Sequence, residues 1–389
     1  MSIQYRSVHP VSQQETYAQN QNIDFIMNLA NEKLVPGTVT LEGLCGIYSD
    51  KANLTGTAGH EEIGYDPLTG YHGLLHDITT EYENLGIVEN LQYYGRLVKT
   101  GRLCTEYLKS LGTETKNSVE GCAPFVNTAC GLAEGIGGNR LSKIPFSIKL
   151  QNVVNKMSAP VSAAATGPIR IRFRLAADDE FLWGQDYVSG TSGYILSDLK
   201  IRFQTIPDDG KLQPVTFERY QAYSTNLDTN NQNISAFVPG MCDSVHMSFI
   251  KVDNENDPKK NYLGCEVPPG KPPLGASDTD STPGEYGLER VYYAISDVDT
   301  ALVGFTMESR EQLMMNGIRS FNPSLKGHNC LARRLRDQEY PDGYVLGIPF
   351  GAPITLSQNK FAAEIQSQCT NVNQYFMYAH FRCLETVQA

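Results

Sequence analysis

Two short runs, Ile169-Arg-Ile-Arg-Phe-Arg-Leu175 and Leu199-Lys-Ile-Arg-Phe-Gln-Thr205, alternate apolar with cationic or polar residues without a break. Side chains on an extended strand point to opposite faces in turn. Ile169, Ile171, Phe173 and Leu175 therefore share one face, and Arg170, Arg172 and Arg174 the other. Such segments are half-buried strands: one face seeks a hydrophobic core, and the other needs water, a counter-charge or a neighbouring subunit. The expectation is an antiparallel sheet protein.

The remaining sequence follows the same grammar. With 389 residues the chain exceeds one ordinary core, so two domains of roughly 150–200 residues each are expected. Tyr and Phe number 21 and 15, Gly and Pro 34 and 20, a balance that favours short strands joined by loops. In the first half, Tyr71–Thr80, Gly86–Val98 and Ile144–Leu150 read as strands and Arg102–Leu111 as a helix. Ile206-Pro-Asp-Asp-Gly210 is a turn signature that stops the sheet. Beyond it, strands are expected at Val215–Tyr223, Asn233–Val238, Ser244–Lys251, Arg290–Ile295, Ala301–Glu308, Ile354–Phe361 and Asn373–Cys383, with a helix at Met307–Gly317. Within Ser244–Lys251, Val245, Met247 and Phe249 fall on one face and His246, Ser248 and Ile250 on the other. Residues 1–22 lack periodicity and read as an arm, followed by a helical turn or packed lead-in at Ile23–Ala30. The expected organisation is an arm over 1–28, a first unit over 29–206, a linker over 207–214, and a second unit over 215–389 carrying a long Pro- and charge-rich loop at 253–283.

A formal net charge of −11 opposes a surface built to hold nucleic-acid phosphates, because that binding rests on Lys and Arg. The first 22 residues offer only Arg6 and Glu15 as charged groups, so no basic genome-binding arm is present. No stretch approaches the roughly 20 consecutive apolar residues of a bilayer span, and the opening Met-Ser-Ile-Gln-Tyr-Arg does not resemble a secretory signal. Nine cysteines without a CxxC then read as mostly reduced thiols in a cytosolic or nuclear setting, with pairings such as Cys122/Cys130 or Cys369/Cys383 left open.

Chemistry-bearing patterns are incomplete. His72 and His76 share one face, but on a strand they stand roughly 13 Å apart, too far to share a metal ion. His60-Glu-Glu-Ile-Gly64 begins like a zinc-protease helix yet has Gly64 where the second His is required. The glycines of 131–138 lack a phosphate-loop lysine, no serine sits in a nucleophile elbow, and Cys–His catalysis remains open only as an arrangement in space. No catalytic, metal or cofactor residue is expected. Arg333, Arg334 and Arg336 form the one dense basic cluster; Asp337 and Glu339 follow at once, so it reads as a solvated or subunit-contacting face.

Three stretches together resemble the major capsid proteins of double jelly-roll viruses, most nearly those of virophages and polinton-like viruses. They are Gly70-Tyr-His-Gly-Leu-Leu-His-Asp-Ile-Thr through Gly86-Ile-Val-Glu-Asn-Leu-Gln-Tyr-Tyr-Gly-Arg96; Pro145-Phe-Ser-Ile-Lys-Leu through Gly167–Leu175 and Tyr194–Ile206; and Glu218-Arg-Tyr-Gln-Ala-Tyr through Val238-Pro-Gly240 and Val245–Phe249. The resemblance implies an all-β fold of two eight-stranded jelly-roll sandwiches in tandem, with a few short helices. It implies a virion protein, assembled in host cytoplasm or nucleus, whose homotrimers present six jelly rolls as a pseudo-hexagonal tile of an icosahedral shell. Implied partners are neighbouring trimers, penton and minor capsid or cement proteins, and an internal membrane reached by the arm. Arg170, Arg172, Arg174, Arg333, Arg334 and Arg336 are the candidate subunit contacts, and 253–283 is the expected surface tower. The alternative is a scarce vertex, receptor-binding or carbohydrate-binding sandwich using exposed Tyr and that loop.

Overall fold

A computed structural model describes residues 3–53, 63–66, 68–105, 120–121, 143–237, 240–255, 257–270, 287–296, 301–307, 344–355 and 360–389. Twelve strands fill the first half: β1 (Gln4–Val8), β2 (Asn22–Met27), β3 (Glu32–Leu34), β4 (Thr40–Tyr48), β5 (Gly64–Tyr65), β6 (Leu75–Tyr82), β7 (Ile87–Leu91), β8 (Ile144–Lys149), β9 (Val161–Ser162), β10 (Ile169–Leu175), β11 (Leu182–Trp183) and β12 (Gly193–Pro207). Eight fill the second: β13 (Pro214–Leu227), β14 (Asn231–Ala236), β15 (Met241–Lys251), β16 (Arg290–Ser296), β17 (Ala301–Met307), β18 (Val345–Thr355), β19 (Lys360–Gln366) and β20 (Tyr375–Gln388).

The second half is two four-stranded antiparallel sheets, ordered β13-β20-β15-β18 and β14-β19-β16-β17. Strands one, eight, three and six therefore lie in one sheet and two, seven, four and five in the other, the order of a jelly roll. The first half repeats this order with broken strands. One sheet is β2-β10-β6-β7. In the other, β1 lies along one edge of β12, while β3 and β4 succeed each other along the opposite edge and carry β9 and β8 beyond them. A small β5–β11 pair is added. Between the halves, β12 ends at Pro207 and β13 begins at Pro214. Lys33 Nζ clamps this link through the Asp209 carboxylate (2.6 Å) and the Lys211 carbonyl (2.8 Å), and Gly210 takes the positive φ of 69° that the turn requires.

Each half closes over its own apolar interior. Ile169, Ile171, Phe173 and Leu175 are all buried between the first pair of sheets beside Phe25, Ile78 and Ile201, as the alternation of β10 predicts. Val245, Met247 and Phe249 fill the second interior with Phe361, Met377 and Phe381. Burial of a side chain of this size is worth about 1.5–3 kcal/mol, so the four inward residues of β10 are a large share of a marginal total.

Several sequence expectations are corrected. Residues 1–28 are not an arm: β1 pairs with Phe203 and its neighbours, and β2 pairs with β10. β1 escaped notice because it is a polar edge strand exposed along nearly all its length; in β2, outward Ile26 masks the alternation of buried Ile23, Phe25 and Met27. The strand expected at 86–98 ends at Leu91, and a helix, α1, spans Tyr94–Thr105; it includes 102–105 of the helix expected at 102–111, whose residues 106–111 lie outside the described residues. Tyr93, at φ 55°, makes the sharp reversal between them. Residues 71–74 belong to a 3₁₀ turn before β6, and the strand expected at 354–361 divides between β18 and β19. The described part of 253–283 is no tower, because Tyr262, Leu263 and Cys265 are buried. Met307, the first residue of the helix expected at 307–317, ends β17; residues 308–317, the 131–138 glycines, His60, Cys122, Cys130, Arg333, Arg334 and Arg336 lie outside the described residues.

Urea unfolding should separate the two faces of β10. Phe173→Ala is expected to cost about 3–5 kcal/mol, against about 0–1 kcal/mol for Arg172→Ala on the solvent face; equal losses would contradict the assigned orientation.

Candidate functional site

Two regions of the fold bring its charged and rigid parts together. The first is the seam between the halves. β20 and β15 are buried on both faces along their middles: Val245, Met247, Phe249, Met377, Ala379 and Phe381 enter the second core, while Tyr378, His380, His246 and Ser248 face the first half and are just as enclosed. α1 supplies the opposing surface. Its Arg96, fully buried, donates to the carbonyls of Gly264 (3.1 Å) and Tyr262, and its guanidinium lies over the rings of Tyr378 (4.1 Å) and Tyr262 (4.7 Å). One turn on, Lys99 Nζ pairs with the Asp66 carboxylate at 2.6 Å, both excluded from water. Asp66 also accepts from the amides of Leu68 and Thr69, each at 2.9 Å, and from the Asn261 side chain of the other half. Burial pushes the Asp66 carboxyl up, but Lys99 and these donors outweigh it and hold it below its ordinary value. Arg102 completes the row, donating to the Leu68 carbonyl (2.7 Å) and to Glu120.

Backbone pairing extends the seam. Lys156–Ser158 of the first half lie against the outer edge of β13, with Ser158 N–H donating to Thr216 (2.9 Å) and Glu218 N–H to Lys156 (2.8 Å). An edge strand that could template another chain is thereby covered. Lys156 Nζ bonds Glu218 (2.8 Å) and the Tyr220 hydroxyl (3.1 Å). Glu89, on β7, is buried and accepts the amides of Val153 and Tyr220, each at 2.9 Å, so one carboxylate joins β7, the 153–155 turn and β13. Burial drives its pKa up to about 7 despite those two amides and the nearby Lys156 and Arg219. His246 and His380 face each other across β15 and β20. Burial lowers both, His380 to about 4, and the neutral His380 ring donates from Nε2 to the Gln92 carbonyl at 3.1 Å.

The second region is the outward face of β2-β10-β6-β7. Arg172 pairs with Asp24 (2.6 Å), Arg174 with Asp77 (2.6 Å), and Arg170 approaches Glu83 (3.9 Å). The arginine row of the sequence is therefore a ladder of alternating charge, with side chains 56%, 60% and 39% exposed at 170, 172 and 174. His72 and His76 do not meet: His72 bonds the Tyr94 hydroxyl and His76 the Glu180 carboxylate, both at 2.8 Å. Among the described residues no three His, Cys, Asp or Glu gather as metal ligands, and no helix is long and apolar enough to cross a membrane.

Two complete jelly rolls joined by a six-residue link and a buried seam define a double jelly roll, the fold of viral major capsid proteins. The chain superposes along its whole length on the major capsid protein of Faustovirus (7% identity, TM-score 0.63, covering 100% of this chain and 90% of that one). It also superposes on a chain of the Sputnik virophage (8%, 0.57, 100% and 88%) and on the mavirus major capsid protein (11%, 0.51, 99% and 90%). No protein-family model matches it, and no curated protein does so by sequence. At these identities the likeness is one of fold.

The seam residues were not anticipated from sequence. Arg96, Lys99 and Arg102 recur at helical spacing, but a charged stripe ordinarily marks a solvated face; the signal that reverses this reading, carboxylates and carbonyls at 66, 120, 262 and 264, is spread across the chain.

Two measurements test the seam. Lys99→Ala strands the Asp66 carboxylate in the interior and should cost about 3–5 kcal/mol in denaturant unfolding, whereas the paired change Lys99→Met with Asp66→Leu should recover most of that loss. Glu89 links stability to pH. Its folded pKa lies above the unfolded value, so its contribution is complete below about pH 4.5 and disappears as pH rises through about 7. Stability profiles of wild type and Glu89→Gln from pH 5 to 8 should diverge by an amount on the order of 2–3 kcal/mol; parallel profiles would contradict this assignment.

Proposed function

We propose that this chain is the major capsid protein of an icosahedral virus, a structural subunit that turns over no substrate. The carrying observation is the pair of complete jelly rolls locked side by side by a buried polar seam, a whole-chain arrangement shared with the capsid proteins above. A subunit that is to be tiled many times must hold its two sandwiches at one fixed angle. Arg96, Lys99, Glu89 and the 156–158 strand segment do this with directional bonds, which fix orientation more strictly than apolar contact alone.

In this reading three copies form a tile of six jelly rolls, tiles abut in the shell, and penton and cement proteins occupy vertices and gaps. Assembly takes place in host cytoplasm or nucleus, and the genome is held by other components. Arg170, Arg172 and Arg174 are the proposed subunit contacts, now as a charge ladder: an alternating surface reads the register of its partner, where a purely cationic one would only attract. Arg333, Arg334 and Arg336 are proposed for the same role.

Light scattering of the purified protein should give the mass of a trimer, and negative-stain images should show hexagonal outlines; a persistent monomer across virion-like salt and pH would overturn the reading. Abundance in particles distinguishes a tile from a vertex protein, which is scarce. Arg170→Glu with Arg172→Glu should shift the population toward monomer while leaving the circular dichroism spectrum intact, and an unchanged trimer would remove the ladder from the interface.

A further inference from the structure

Cys242 on β15 and Cys383 on β20 stand directly opposite each other in antiparallel register. Both are buried, and their Sγ atoms are 2.9 Å apart, closer than two unbonded sulfurs rest in van der Waals contact. Directly opposed residues on neighbouring antiparallel strands have the Cα separation that a disulfide spans without backbone movement. A register shift between Cys242 and Ser244 re-aims β15 beside the pair. Cys242 follows Met241, which is nearly half exposed at the strand's end, so a reagent needs only local opening of this end to reach it. The sequence did not single out this pair; it offered Cys383 with Cys369 instead. The two residues are 141 positions apart and only the jelly-roll order of strands three and eight brings them together.

We propose that Cys242 and Cys383 are a redox modification site, closed into a disulfide by exchange with a low-molecular-weight disulfide. One protein thiolate attacks that reagent, forming a mixed disulfide and releasing one thiol. The second protein thiolate then attacks the protein-bound sulfur of the mixed disulfide and releases the other. Two cysteines are oxidised, one small disulfide is reduced to two thiols, and the two cysteine protons pass to the departing thiolates. The facing thiol and burial both hold Cys242 above its ordinary pKa, so exchange is slow at neutral pH and quickens as pH rises.

The bond would staple the two central strands of β13-β20-β15-β18 and close a loop containing most of the second half, from β15 to β20. A shell built among reducing thiols and then exposed to an oxidising exterior would harden after assembly and soften again on re-entering a reducing cell. That use rests on the capsid reading; the bond itself does not.

The test uses the full chain in solution. After incubation with oxidised glutathione at pH 8, acid quenching, denaturation and alkylation with N-ethylmaleimide, mass spectrometry should show two fewer alkylated cysteines and a peptide joining Cys242 to Cys383. Cys45, buried in the first interior, should stay alkylatable and serves as reference. The melting temperature should rise by roughly 5–10 °C and return on adding dithiothreitol. Cys383→Ser should retain a glutathione adduct on Cys242 and lose the thermal shift; should that variant fail to fold, the wild-type thiol count decides alone. Full alkylation of both cysteines after prolonged oxidation, or stable glutathione adducts on the wild type, would overturn the proposal. Neither outcome bears on trimer formation, so the staple and the capsid reading fail separately.

Discussion

A sheet buried on both faces must satisfy polar groups on the side that would ordinarily meet water. β15 and β20 are in this position, and the protein meets the demand with α1, a helix whose cations point inward. Arg96 is useful here because a guanidinium can donate to two carbonyls within its plane while its faces stack on two tyrosines, which satisfies charge and fills space together. Removal of one partner leaves a charge without solvent. Such networks add little net stability compared with a well-packed apolar contact, and their benefit is that they permit one arrangement of the two sandwiches and penalise others.

The two titrating groups of the seam act in opposite senses. Glu89 stabilises the neutral-seam state as pH falls through about 7, while the depressed His380 makes unfolding easier between its unfolded pKa near 6.5 and its folded value of about 4. Stability near neutrality is therefore a balance in which the carboxyl and imidazole contributions partly cancel across mildly acidic conditions.

Sequence periodicity revealed those elements whose polarity matches their exposure. The inward Ile169, Ile171, Phe173 and Leu175 and the inward Val245, Met247 and Phe249 follow the local pattern because each set faces a core, and the turn at Pro207–Gly210 follows it because its polar residues face solvent. The pattern misled where polarity and exposure part company. β1 is a strand almost wholly exposed, and α1 is a helix with buried Arg96, Lys99 and Arg102, so the alternation and the amphipathic stripe that normally announce such elements are missing. The arginine ladder was half visible: the cations were evident, but Asp24, Asp77 and Glu83, contributed by other chain segments, turned a cationic row into a neutral one.

The pairing of first strand with last has a consequence for synthesis. β1 waits for β12, almost two hundred residues later, and β13 waits for β20, with all fourteen of its residues matched from Pro214–Gln388 to Leu227–Tyr375. Contacts so distant along the chain are made late, after the entropy of the intervening loop has been overcome. Neither sandwich is closed until its final strand is made, and the first half alone presents Arg96 without the Tyr262 and Gly264 carbonyls and the Tyr378 ring that hold it, and Glu89 without the Tyr220 amide. A chain that stops before β20 leaves β13 and β15 without the strand that joins them, so the second sandwich exists only when its last strand is in place.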